Sequence, residues 1–197
     1  AFILFRWARG NESNLASLFA ALSFSAVAQS VIGIAQFARQ GSVGVALLGE
    51  PYLSSSVPGI AKILINGAKI VRAYGTFSHP NILGGFLVVG LCALLYLWLK
   101  KDVRGVSLQR VGLALGIALV LGGILVSFSR SAWLSTILVF CIVGLGAYRH
   151  LFSLRRLFSL GVLVLLIVSP IIFSLRNFIF SRAEISRDDP SVYISVL

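Results

Sequence analysis

Methionine is absent from the 197 residues, cysteine occurs twice, and aspartate and glutamate together number only 6. Charged residues of both signs make up 12% of the chain, about half of what a soluble domain carries, while 58% of the residues are hydrophobic and the mean hydropathy is +0.97. That balance excludes an ordinary soluble domain and places the chain in a bilayer. Cys92 and Cys141 each sit inside an apolar run with no partner at disulfide or metal spacing, so both read as small buried hydrophobes. No nucleophilic triad, glycine-rich nucleotide loop or zinc-ligand spacing occurs. Asp188-Asp189 before Pro190 lacks third and fourth ligands nearby and reads as a solvated turn, so no metal site is expected. With no methionine at position 1 and no signal-peptide pattern ending there, the chain reads as part of a longer protein.

Five apolar runs are present, at about 14–37, 82–99, 111–128, 132–148 and 157–175, each near the roughly 20 residues that a helical bilayer crossing needs. The expected fold is an all-α polytopic transmembrane bundle, a single membrane domain of about five spans. Their interiors hold no Asp, Glu, Lys, Arg or His, which counts against a proton- or ion-coupled transporter. Gln29, Gln36 and several serines in the first run mark a helix packed inside the bundle. Gly112-xxx-Gly116 suits close helix approach, and Pro170 predicts a kink in the last run. Residues 38–80 form a loop punctuated by Pro51 and Pro58. Within it Lys62, Asn66 and Lys69 fall at i, i+4 and i+7, which fits an amphipathic helix over 60–74 lying on the membrane surface. Gly67 in its middle makes an extended segment the competing reading.

The formal charge of +11 does not point to nucleic acid, because the basic residues sit at the ends of apolar runs and no basic face with interleaved aromatics occurs. Lys100, Lys101, Arg104, Arg110, Arg149, Arg155 and Arg156 crowd into two short loops, and short cationic loops are held in the cytoplasm. Loop 38–80, the hairpin 129–131 and the start of a second loop, 176–197, then face outward. An outward arginine gains nothing from that rule, so Arg72 and Arg130 stand out. One span begins near Pro80 with Ser78 or His79 to cap it, and another near Ala132 with Ser129 or Ser131. Both start on the outer side and present a positive dipole end there. Two helix N-termini beside two arginines make an anion cradle suited to phosphate or diphosphate, with Asn81 in its first turn. The plainer readings are that Arg72 snorkels, Arg130 marks a hairpin, His79 caps or packs, and Lys62 and Lys69 form a solvated face.

Arg72-Ala73-Tyr74-Gly75-Thr76-Phe77-Ser78-His79-Pro80-Asn81 before an apolar helix, then Ser127-Phe128-Ser129-Arg130-Ser131-Ala132 opening another, resembles the O-antigen ligase and polymerase family over roughly residues 15–197. The resemblance implies an integral glycosyltransferase of the bacterial cytoplasmic membrane that acts on its outer side in cell-envelope polysaccharide and lipopolysaccharide biosynthesis. It needs no nucleotide sugar, no metal and no cofactor. A glycan carried on undecaprenyl diphosphate passes to a hydroxyl of a lipid A-core sugar, a growing glycan or a protein. Arg72 matches the arginine before the Gly-Thr-Phe motif and Arg130 that of the Ser-Arg motif, and both are expected to hold the diphosphate. The family's basic histidine belongs to a large outer loop and has no counterpart here, since His79 sits in a different motif. The competing class is a non-enzymatic membrane scaffold or a lipid-linked-glycan flippase with an outer anion site.

Overall fold

The computed structural model describes residues 12–65, 68–100 and 108–148. Four α-helices carry the fold among them: α1 (Glu12–Arg39), α2 (Pro80–Lys100), α3 (Leu108–Val126) and α4 (Arg130–Tyr148). At 1.5 Å per residue, α1 with its 28 residues is about 42 Å long and α2 with its 21 is about 31 Å. Three helices are long and apolar enough to cross a membrane, over Asn14–Arg39, Pro80–Lys100 and Leu108–Val126, and α4 contributes a shorter apolar stretch, Arg130–Gly146. The chain is thus of the all-α, membrane-protein class. The expected run at 157–175, the Pro170 kink, the loop 176–197 and the Asp188-Asp189 turn lie outside the described residues.

Helix direction alternates. Gly33 lies against Leu83 and Gly90 against Ala26, so α1 and α2 run antiparallel; Gly116 lies against Val27 and Gly123 against Ser30, so α3 runs parallel to α1. The core is a seam of Leu83, Leu87, Leu91 and Leu95 from α2 against Ile117, Val120 and Ile124 from α3, all nearly inaccessible. The closest approach is at Gly90, where an added Cβ would overlap the Ala26 methyl. Gly112-xxx-Gly116 is not such a crossing: Gly116 touches Leu94 and Val27, whereas a Cβ on Gly112 would meet nothing within 4 Å. The two cysteines also depart from expectation, since Cys92 and Cys141 lie on exposed faces of α2 and α4. Apolarity alone cannot tell the core-facing side of a membrane helix from its lipid-facing side. Exposed Leu134, Ile137, Leu138, Ile142 and Leu145 on α4 make the same point.

The segment 60–74 is not an amphipathic helix. Lys62–Ile65 (β1) and Ala68–Val71 (β2) pair antiparallel in the register Lys62↔Val71 and Ile63↔Ile70. Two isoleucine-rich runs separated by Asn66-Gly67 are the strongest short-range hairpin signal, and β-branched side chains favour the strand over the helix. The i, i+4, i+7 spacing of the polar residues was coincidental. Lys62 Nζ donates to the Val57 carbonyl (2.7 Å), which ties the hairpin to the loop before it.

Candidate functional site

Both helix starts that matter are capped from within the motifs. His79 is the N-cap of α2: its Nδ1 accepts from the Asn81 amide (3.1 Å) and its carbonyl from Leu83 (3.2 Å), with Pro80 at the first helical position. Ser129 is the N-cap of α4, whose first residue, Arg130, lies two residues ahead of the expected start near Ala132. Its Oγ accepts from the Ala132 amide (3.4 Å) and shares a hydrogen bond with Ser131 Oγ (3.1 Å). Between α3 and α4, Phe128 takes a left-handed backbone (φ 48°), which costs a β-carbon-bearing residue about 1–2 kcal/mol. Burial of its ring against Phe37 and Trp133 offsets that cost. The turn also frees the Ile124 carbonyl, which accepts instead from Ser127 Oγ (2.7 Å) and Trp133 Nε1 (3.1 Å).

Arg72 joins the two motifs. Only 5% of it is exposed; its Nε donates to the Ser127 carbonyl (2.8 Å) and its Nη2 to Asn81 Oδ1 (2.7 Å). One guanidinium therefore spans from the first turn of α2 to the turn that opens α4. Nearby, Gly84 lets α2 approach Ser127, Ser129 and Ala132, each within about 3 Å of where its Cβ would stand. Arg72 is therefore not a snorkelling side chain. Arg130, at the first position of α4, is exposed, as are Ser131, Ser78 and His79. The structure brings Arg72, Asn81, Ser129 and Ser131 to one end of the bundle with the two N-termini. Ser78, His79 and Arg130 lie at the same end; of these seven residues Arg72 and Ser129 are buried and the other five exposed.

What holds this arrangement is a pair of glutamines on α1, Gln29 and Gln36, with a third, Gln40, just past its end. Gln36, 1% exposed, accepts at Oε1 from the amides of Tyr74 (3.0 Å) and Gly75 (2.8 Å) and donates from Nε2 to the Gly75 carbonyl (2.8 Å) and Glu50 Oε1 (2.9 Å). Gln29 pairs with Thr76 through the Thr76 amide (2.9 Å) and hydroxyl (2.8 Å), and Gln40 accepts from the Val71 amide (2.7 Å). The motif backbone thus descends along α1 from Gln40 to Gln29, reaching about 15 Å inside the end of α1 at 1.5 Å per residue. Non-helical backbone at such depth must be satisfied by protein, and the carboxamides replace the partners that a strand would offer. Gly75 is required there: its φ is +60°, and a Cβ would lie 2.5 Å from Gln29 Oε1. Tyr74 fixes the other side, its hydroxyl accepting from the Ala61 amide (2.6 Å).

Glu50 closes the network. Its carboxylate accepts from three successive amides, Val43 (2.6 Å), Gly44 (2.8 Å) and Val45 (2.7 Å), besides Gln36. Burial raises its pKa, but the backbone and Gln36 hydrogen bonds outweigh that and hold the group below the ordinary carboxylate value. Gln40, Glu50 and Ser127 were not among the residues expected at the site. A glutamine repeat on one helix face and a single acid between Glu12 and Asp102 were the signals that could have found them.

Among the described residues no group of three His, Cys, Asp or Glu converges as a metal site would. The fold and site together define a helical membrane protein with a polar, cationic end built from two capped helix starts and a clamped loop. No protein-family model, curated protein or solved structure matches the chain.

Proposed function

We propose that the chain belongs to an integral-membrane glycosyltransferase that moves a glycan from an undecaprenyl-diphosphate carrier to an acceptor hydroxyl on the outer face of the bacterial cytoplasmic membrane. The acceptor is a lipid A-core sugar, a growing polysaccharide or a protein. On this reading α4 and the run at 157–175 complete five crossings, and the short cationic loops at 100–110 and 149–156 lie inside. One observation carries the proposal: the Arg72 guanidinium bridges Asn81 at the start of α2 and Ser127 just before α4, so that two positive helix ends and two arginines meet at one end of the bundle.

The two arginines take different parts. Arg72, committed to Ser127 and Asn81, fixes the cradle; exposed Arg130, with Ser129 and Ser131 beside it, contacts the diphosphate. In the transfer the bond from the sugar's anomeric carbon to the diphosphate oxygen breaks and one to the acceptor oxygen forms. The acceptor proton goes to a base, which the family resemblance places in the outer loop beyond these motifs. Charge grows on the departing diphosphate, and preorganised cations and helix ends stabilise that charge more than the ground state.

The test is transfer by the intact native protein in vesicles, supplied with a polyprenyl-diphosphate oligosaccharide and an acceptor. Arg130→Ala should lower transfer about 100-fold or more at normal expression, on the scale of removing one preorganised oxyanion contact. Unchanged transfer would remove Arg130 from the reaction. Failure of the native protein to form a glycosidic bond with any acceptor, while it still binds the diphosphate lipid, would leave the scaffold or flippase reading instead.

A further inference from the structure

The loop that carries Glu50 also carries strongly exposed apolar side chains. Leu47 is 104% exposed, Leu48 65% and Tyr52 76%, on and beside the short 3₁₀ turn Ala46–Leu48. They are not on a loose tip, because the Glu50 carboxylate holds the amides of Val43, Gly44 and Val45, and Ser42 pairs with Pro51 and Leu53 across the base of the loop. The loop therefore presents three apolar groups on a fixed frame.

Its height is fixed too. Glu50 bonds Gln36, about 4.5 Å inside the end of α1, and Gly49 packs beside the carbonyl of Thr76, which itself pairs with Gln29 about 15 Å inside that end. Both contacts draw the Gly49–Glu50 side of the loop back beside the last turns of α1. A hydrocarbon core of about 30 Å, centred on the 42 Å of α1, begins roughly 6 Å inside each helix end. The α1 residues that anchor the loop, Gln36 and Gln29, lie on either side of that boundary. A tyrosine next to two leucines is the composition that the interfacial layer favours.

We infer that Leu47, Leu48 and Tyr52 are seated in the interfacial layer of the lipid leaflet at the motif end, so that the loop 41–57 is a membrane-docked flap joined rigidly through Glu50 and Gln36 to the Gly75 turn. The membrane contact first expected of segment 60–74 falls to this turn instead. The occupant is phospholipid, and the inference stands on the membrane reading alone, whatever reaction the protein performs.

Spin labels placed singly at Leu47→Cys, Tyr52→Cys and, as a loop control, Ser56→Cys test it. The background carries Cys92→Ala and Cys141→Ala, and the intact protein is reconstituted in phosphatidylethanolamine–phosphatidylglycerol vesicles. At positions 47 and 52 collisions with dissolved oxygen should exceed those with a water-soluble nickel chelate several-fold, with the reverse at 56. Tyr52→Cys keeps the test usable if Leu47→Cys does not fold. A nickel-chelate preference at 47 and 52 matching that at 56 would put the turn in water and overturn the inference. Low accessibility to both agents would also overturn it, by showing that protein covers the turn.

Discussion

The two ends of this bundle use the same kind of helix in opposite ways. At the end where α1 finishes and α2 and α4 begin, Gln36, Glu50, Arg72, Ser127 and Ser129 are buried with their polar atoms bonded to backbone. At the other end, the Phe19 and Tyr96 rings pack at a tilt (4.3 Å between centroids), Lys100 and Arg110 lie over the rings of Tyr96 and Trp98, and an open groove of about 560 Å³ is lined by Ala16, Ser17, Ala20, Leu97, Gln109, Gly112 and Leu113. One end is specified by directional bonds, each with one correct geometry. The other carries ring and cation–ring contacts, whose geometry tolerates more change. Precision is concentrated where helix starts, cations and non-helical backbone coincide.

That contrast fails first, if it fails, at Gln36. Gln36→Leu leaves the Tyr74 and Gly75 amides, the Gly75 carbonyl and Glu50 without their shared partner, an expected loss of about 3–5 kcal/mol at roughly 1–3 per stranded group after partial relaxation. Unfolding of the detergent-solubilised protein, or protease resistance of the loop, would report it. Gly75→Ala comes next, at about 2–3 kcal/mol: a left-handed residue acquires a Cβ, and the Gln29 carboxamide must move off Thr76.

Glu50 makes the contrast visible as a pH effect confined to one end. Its folded pKa lies below the ordinary value of 4.5, so the unfolded chain takes up the proton first. Its contribution is complete above that value and is lost as pH falls through the lower folded one, so stability declines on acidification below about pH 5. Glu50→Gln should flatten that decline and cost about 1–2 kcal/mol at neutral pH. The smallest effect belongs to the groove end. Gly112→Ala adds a methyl into open space and should be neutral or stabilising by up to about 1 kcal/mol, the helix-propensity gain. A loss there as large as that of Gly75→Ala would erase the distinction between the ends.

Much of this was legible in the amino-acid order, for identifiable reasons. Long uncharged runs place α1, α2, α3 and α4 to within a few residues, because bilayer length and capping residues constrain the same positions. Ser78 or His79 before Pro80 announced one helix start, and Ser129 or Ser131 near Ala132 announced the other to within two residues. The hairpin was half legible: the period of three polar residues favours a helix, while Gly67 between β-branched runs supports the competing extended reading, which is the one the strands follow. Cys92 and Cys141 were misplaced because sequence reports apolarity and not which side of an apolar helix meets neighbours. The glutamine clamp was half legible. Gln29 and Gln36 marked α1 as a packed helix, but a carboxamide's partner is a matter of where another segment's backbone passes, and nothing local encodes that. Arg72 was expected to reach a ligand; its two bonds to Ser127 and Asn81 make it the strut of the cradle and leave Arg130 as the accessible cation.

The most direct test is the affinity of the intact protein, in lipid nanodiscs, for a polyprenyl diphosphate against the corresponding monophosphate. The native protein should prefer the diphosphate, Arg130→Ala should weaken it about 10- to 100-fold, and Arg72→Lys, which cannot span Ser127 and Asn81 together, should weaken it as well. Equal affinity for the two lipids, unchanged in both variants, would mean that two helix starts and two arginines meet at this end without forming an anion site.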